Sequence, residues 1–172
     1  MVSKIITFYS YKGGVGRSMA MANIAVLLAQ WGKKTLIIDW DLEAPGLENF
    51  YSGYIDIEQK KKKNGLIDLL NLKITDPELK TETITWSDYI STIRIGKDTM
   101  LDMITAGKRD DSFVSNVKKF DYNNFYQNAD GGEYLEELRE AWLDRYDFIL
   151  IDSRTGLTDS SGICSIHLPD IL

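Results

Sequence analysis

Cysteine and histidine are almost missing from this chain of 172 residues; Cys164 and His167 stand alone. A single cysteine cannot close an internal disulfide. The opening "MVSKIITFYSYKGG" does not read as a secretory signal, so a reducing cytoplasm is the expected setting. A single histidine speaks against a histidine-rich metal site or an internal Ser-His-Asp triad. Ordinary packing or surface placement is expected for both residues. Long apolar runs are missing too. The run from Ser18 to Trp31 falls short of the roughly 20 residues a membrane span needs. Positive charge is in deficit: the net charge of −6 argues against a dedicated nucleic-acid binder, which carries a basic face.

What is present describes a folded domain. Hydrophobic residues make up 44% and charged residues 27%, a globular balance rather than a disordered one. The length suits one domain, residues 1–172, with its own core. "KIITF", Lys4 to Phe8, is a short apolar run that leads into a glycine-rich turn. "SMAMANIAVLLAQW", Ser18 to Trp31, is apolar nearly all round and reads as a buried helix, with Gly32 suited to its C-terminal cap. "TLIIDWD", Thr35 to Asp41, suits a buried parallel strand. Strand, loop, helix and strand within about forty residues make a βαβ unit, whose crossover is right-handed.

The middle of the chain is less legible. "DIEQKKKKNG", Asp56 to Gly65, reads as a charged surface loop, with binding of an acidic partner as the lesser alternative. "GLIDLLN" suggests a short helix, Tyr89 to Ile95 a short strand, and Thr99 to Gly107 a core strand ending in a turn. The aromatic, Asn-rich stretch from Asp111 to Gly132 is read as a helix followed by a loop, packed on the core rather than against a partner. In "GEYLEELREAWLDRY", Tyr134, Leu135, Leu138, Ala141 and Trp142 fall on one helical face. "DFILIDS", Asp147 to Ser153, is an apolar strand tipped by an acid. The alternation of strands and helices implies an α/β fold with an open, mostly parallel sheet flanked by helices. "LPDIL", Leu168 to Leu172, reads as the opening of a further strand, so the expectation is a chain that stops partway through a larger domain.

The chemistry centres on "YSYKGGVGRSMA", Tyr9 to Ala20. Glycines let a backbone curl so that successive N–H groups point at an anion, and a following helix adds its positive end. Gly13, Gly14 and Gly16 supply the curl, and the Ser18 hydroxyl stands where a magnesium ligand is expected. The general phosphate-loop pattern G-x-x-x-x-G-K-[ST] is missed at Tyr11 and Arg17.

"KGGVGRS", "LIIDWDLEAPGL" and "FILIDSRTGLTD" together resemble the ParA/MinD-type P-loop ATPases, whose deviant loop reads K-G-G-x-G-K-[ST]. The resemblance runs from Lys4 to about Asp170 and is thin between Tyr51 and Asp98. It implies a P-loop NTPase fold, ATP and Mg²⁺ as ligands, and a nucleotide-dependent homodimer that a protein partner reads. Lys12 would reach the partner subunit's phosphates, and Asp41 would orient the attacking water. Gly13, Gly14, Val15, Gly16, Arg17, Ser18 and Met19 would surround the phosphates, with Gly156 sensing the γ-phosphate. Ser18, Asp39 and Asp152 would serve the magnesium ion. The choice of ATP over GTP rests on the resemblance. An acid at the end of a strand also has an ordinary use as a cap for the next turn.

Two departures matter. Arg17 replaces the family's lysine, keeping the charge but adding a longer planar fork. Arg154 stands where small residues or proline are common in the family, and is either a phosphate-directed cation or an ion-pair partner. Two functions compete: a slow ATPase switch, or a nucleotide-binding module that has lost hydrolysis. An iron-protein-like electron carrier needs cluster cysteines that Cys164 alone does not supply.

Overall fold

The computed structural model describes residues 2–55, 63–156 and 163–172. Five strands form one sheet: β1 (Lys4–Phe8), β2 (Thr35–Asp39), β3 (Ile90–Arg94), β4 (Met100–Ile104) and β5 (Phe148–Asp152), in the order β1-β5-β2-β4-β3. The pairs β1–β5, β5–β2 and β2–β4 are parallel, and β3 is an antiparallel edge on β4. The helices are α1 (Arg17–Gln30), α2 (Leu66–Thr75), α3 (Phe113–Lys119), α4 (Tyr122–Asn128) and α5 (Gly131–Leu143).

β2 and β5 carry apolar runs, Leu36–Ile38 and Phe148–Ile151, because both faces of the sheet are covered there. Alternate residues separate into two cores. Leu36, Ile38, Ile149 and Ile151 face α2, α4 and α5, where Leu66, Phe125, Tyr134 and Trp142 are buried. Ile37 and Leu150 face the other way, onto Met21, Ala25 and Leu28 of α1. The predicted stripe of α5 is the face that docks, although Ala141 is only partly buried.

Several sequence expectations need correction. α1 is not buried all round: Met19, Ile24 and Leu27 are exposed, because α1 packs one face on the sheet and no described element covers the opposite face. α1 begins at Arg17 and ends in a Schellman cap. Gly32, at φ 73°, donates to the Ala29 carbonyl, and Lys33 donates to the Leu28 carbonyl. β2 stops at Asp39 rather than Asp41, since the Asp41 N–H turns back to the Asp39 carboxylate at 3.1 Å and leaves the ladder. α2 runs on to Thr75, further than "GLIDLLN" suggested. The stretch 111–132 forms two short helices, α3 and α4, before α5 begins. Its aromatics pack inward, with Phe125 edge-on to Tyr134. Most of the lysine-rich run lies outside the described residues.

Other expectations hold. β3 forms where the alternation around Tyr89–Ile95 placed it. Ile171 begins a parallel pairing with Ile6 beyond the β1 edge, and Thr7 donates to the Ile171 carbonyl at 2.9 Å. His167 lies 3.1 Å from a carboxylate oxygen of Glu136.

Candidate nucleotide site

The parallel register brings the acids to one edge. Phe8 and Asp39 both pair with Asp152, so β1, β5 and β2 end at the same level. That carboxyl edge is where open α/β sheets bind ligands. The loop after β1 curls with Gly14 at φ 74° and Gly16 at φ 81°, left-handed conformations that a side chain resists. Among the described residues no protein acceptor pairs with the backbone N–H groups of Gly13, Gly14, Val15 or Gly16. The first N–H groups of α1 are free by helix geometry. A cleft of about 390 Å³ opens here, walled by Gly13 to Met19, by Asp41, Ala44 and Phe50, and by Thr155. A ring of free donors around a small cleft is an anion cradle.

The structure gathers the predicted residues unevenly. Gly13 to Met19 and Asp41 line the cleft; Lys12, Asp39, Asp152 and Gly156 do not. Lys12 is exposed at the loop's outer side, where its carbonyl accepts from the Ser10 hydroxyl at 3.0 Å. Asp152 is buried, accepts from Arg17 Nε at 2.7 Å and lies near the Ser18 hydroxyl. Burial pushes its carboxyl above the ordinary range, against the lowering pull of Ser18 and Arg17. Asp39 is buried more deeply, and its oxygens accept N–H bonds from Asp41, Gly46 and Leu47 at 3.0–3.1 Å. Burial lifts its carboxyl to about 7, although the Leu47 N–H lowers it. Asp39 thus shapes the loop that presents Asp41.

Arg17 turns inward. Its Nε donates to Asp152 Oδ1 at 2.7 Å, and its Nη2 lies 3.6 Å from Asp41 Oδ2. Its Nη1 is buried without a protein partner. The guanidinium therefore bridges the acid expected to serve magnesium and the acid expected to orient water. Arg154 resolves to an ion pair with Glu43.

Ser18, in the cleft wall, and Asp152, near it but outside the lining, offer hard oxygen donors of the kind magnesium accepts. The residues present fit that ion. Sequence reasoning missed Glu43, Ala44, Phe50 and Thr155. Glu43 and Ala44 sit inside the quoted "DLEAPGL", but nothing in their spacing marks Ala44 as a cleft residue or Glu43 as the partner of Arg154.

A mostly parallel sheet with a glycine loop between β1 and α1 and acids at the carboxyl edge defines a P-loop NTPase domain. A family model described as an AAA domain matches residues 3–159. The septum site-determining protein MinD of Buchnera aphidicola is 28% identical over 98% of this chain, which spans 51% of that protein. MinD from Pyrococcus horikoshii, solved with Mg-ADP, superposes with a TM-score of 0.64 at 24% identity, over 99% of this chain and 57% of the other. A ParA family ATPase from Chlorobium tepidum superposes at 0.63 with 19% identity, over 98% and 59%. The chain belongs to this AAA domain family, within the ParA/MinD-type P-loop ATPases. It spans about half the length of the Buchnera relative.

Proposed function

We infer that the chain binds Mg-ATP and acts as a nucleotide-dependent dimerisation switch with slow hydrolysis. The observation that carries this is the cradle of unpaired N–H groups from Gly13 to Gly16, in a cleft that Ser18 and Asp41 also line. MinD of Pyrococcus horikoshii, with the same fold, was solved with Mg-ADP.

Each residue has a task. The loop amides of Gly13 to Ser18 hold the phosphate oxygens, with Val15 and Met19 forming the rim. Ser18 and Asp152 would hold a magnesium ion, which offsets phosphate charge when bound. Asp39 acts on that ion's surroundings through the loop it fixes. Asp41 faces the cleft and orients water as an acceptor. Gly156, at φ 83°, offers its N–H to the terminal phosphate. Lys12, unburied, reaches a second copy's phosphates and neutralises charge as an arginine finger does. A protein partner reads the dimer in the cytoplasm, and neither nucleic acid nor membrane is a proposed target of this segment.

One observation favours a second reading, a nucleotide-binding module without turnover. Arg17 occupies both Asp41 and Asp152, and a longer fork is harder to withdraw than a lysine ammonium. Steady turnover that vanishes in Asp41→Ala supports the switch; ATP binding without turnover at high protein concentration supports the module. Light scattering with a non-hydrolysable ATP analogue tests dimerisation, and an unchanged mass in the full-length protein defeats it.

A further inference from the structure

The loop after β2 and the loop after β5 face each other across the cleft, Ala44 on one wall and Thr155 on the other. Each loop is fixed at its base. On the first, Asp39 gathers the N–H groups of Asp41, Gly46 and Leu47. Arg109 adds a hydrogen bond to the Pro45 carbonyl at 2.7 Å and an ion pair with buried Glu48 at 2.9 Å. On the second, the Ser153 N–H and hydroxyl both donate to the Phe8 carbonyl, at 3.2 and 3.0 Å. Among the described residues the two loops meet through the Arg154–Glu43 ion pair. Glu43 immediately precedes Ala44, and Arg154 immediately precedes Thr155, so the pair links the residues next to each wall.

Its side chains are 54% and 29% exposed, which leaves little for it to contribute to global stability. Its placement is local: it joins the two loops above the level of Asp41 and Asp152, which Arg17 bridges below, and it is the side-chain link between their residues 43 and 154. It also balances charge at the mouth. Arg154 alone would attract a polyanion, Glu43 alone would repel one, and paired they nearly cancel.

We propose that Glu43 and Arg154 form a clasp between the two walls, with Arg154 as a positioning residue. The clasp ties the loop bearing Asp41 to the loop bearing Gly156, so that both walls respond together to a phosphate group in the cleft. This rests on the reading of the cleft as a nucleotide site.

The test uses hydrogen exchange in the nucleotide-free protein and the binding of a fluorescent ATP analogue. The variants are Glu43→Gln, Arg154→Gln and the charge swap Glu43→Arg with Arg154→Glu. Each single variant speeds exchange across residues 40–47 by about fivefold, the scale of an exposed ion pair, and the swap restores protection. Affinity for the analogue moves oppositely, up about fivefold in Glu43→Gln and down about fivefold in Arg154→Gln. Melting temperatures stay within about 3 °C of wild type, as suits an exposed pair. Wild-type exchange in the single variants, or a swap that fails to restore it, overturns the clasp. So does a variant that fails to fold, since the pair would then be holding the domain together. If exchange behaves as expected but wild type does not bind the analogue, the clasp stands and the nucleotide reading falls.

Discussion

Arg17 is the residue on which the site turns. Its side chain is 10% exposed and its partner Asp152 is 4% exposed, so the pair lies in the regime where removing one member strands the other. Arg17→Ala is expected to lower unfolding free energy by about 3 kcal/mol in denaturant titrations at pH 7. Arg17→Lys keeps a cation and removes the fork. It should raise turnover relative to nucleotide affinity, seen as a higher kcat with KM little changed. Asp39 carries a pH signature. An unfolded aspartate titrates near 3.9, whereas folded Asp39 keeps its proton up to about 7. The folded state therefore binds more protons between these values, and stability falls as pH rises from about 4 to about 7. Buried Asp152 is shifted the same way and adds to the fall. Asp39→Asn should flatten the stability–pH curve in that window by about one proton, measured by denaturant unfolding at pH 4.5 to 7.5. The motif named Arg17 as the odd residue, and only its contacts showed that it reaches both acids.

At the scale of elements, two neighbouring glycines at the start of α5 separate packing from propensity. A Cβ on Gly131 would sit 2.4 Å from the Phe125 ring, while one on Gly132 would meet nothing within 4 Å. Gly131→Ala should cost about 2 kcal/mol through overpacking. Gly132→Ala should add roughly 0.5–1 kcal/mol, because alanine is the better helix former. Thermal unfolding of both variants checks the opposite signs. Elements with strong local signals were legible. Thr35–Asp39 and Phe148–Asp152 carry apolar runs because both of their faces are buried, Lys4–Phe8 alternates between buried and half-buried residues, and α5 shows its docking face by its period. α3 and α4 were not separable by pattern. Their break at Phe120–Asp121 comes from the Asp121 carboxylate capping Asn124, and from aromatic packing that no spacing rule encodes.

At the scale of the whole molecule, the proposed dimer gives Lys12 its task. Lys12 is exposed and lies outside the lining of its own cleft, as a residue acting on a second subunit would. Lys12→Ala in the full-length protein should leave binding of a fluorescent ATP analogue within about twofold, yet cut turnover by at least about a hundredfold, the scale of one lost transition-state donor. Equal losses of binding and turnover would place Lys12 on its own subunit's nucleotide instead. The acidic net charge of −6 sets a further expectation for the chain as a whole, weak and salt-insensitive attraction to nucleic acid.

The sequence by itself determined the strand–loop–helix order, the glycine curl and the acids at the strand ends. Each of these is local: left-handed turns require glycine, and strands buried on both faces require unbroken apolar runs. Tertiary structure decided the partners. Glu43 lies 111 positions from Arg154, and Arg17 lies 135 positions from Asp152. A charge carries no record in its own sequence neighbourhood of which distant charge it will meet. Only the parallel register of β1, β5 and β2, set by burial on both faces of the sheet, brings those charges to one edge.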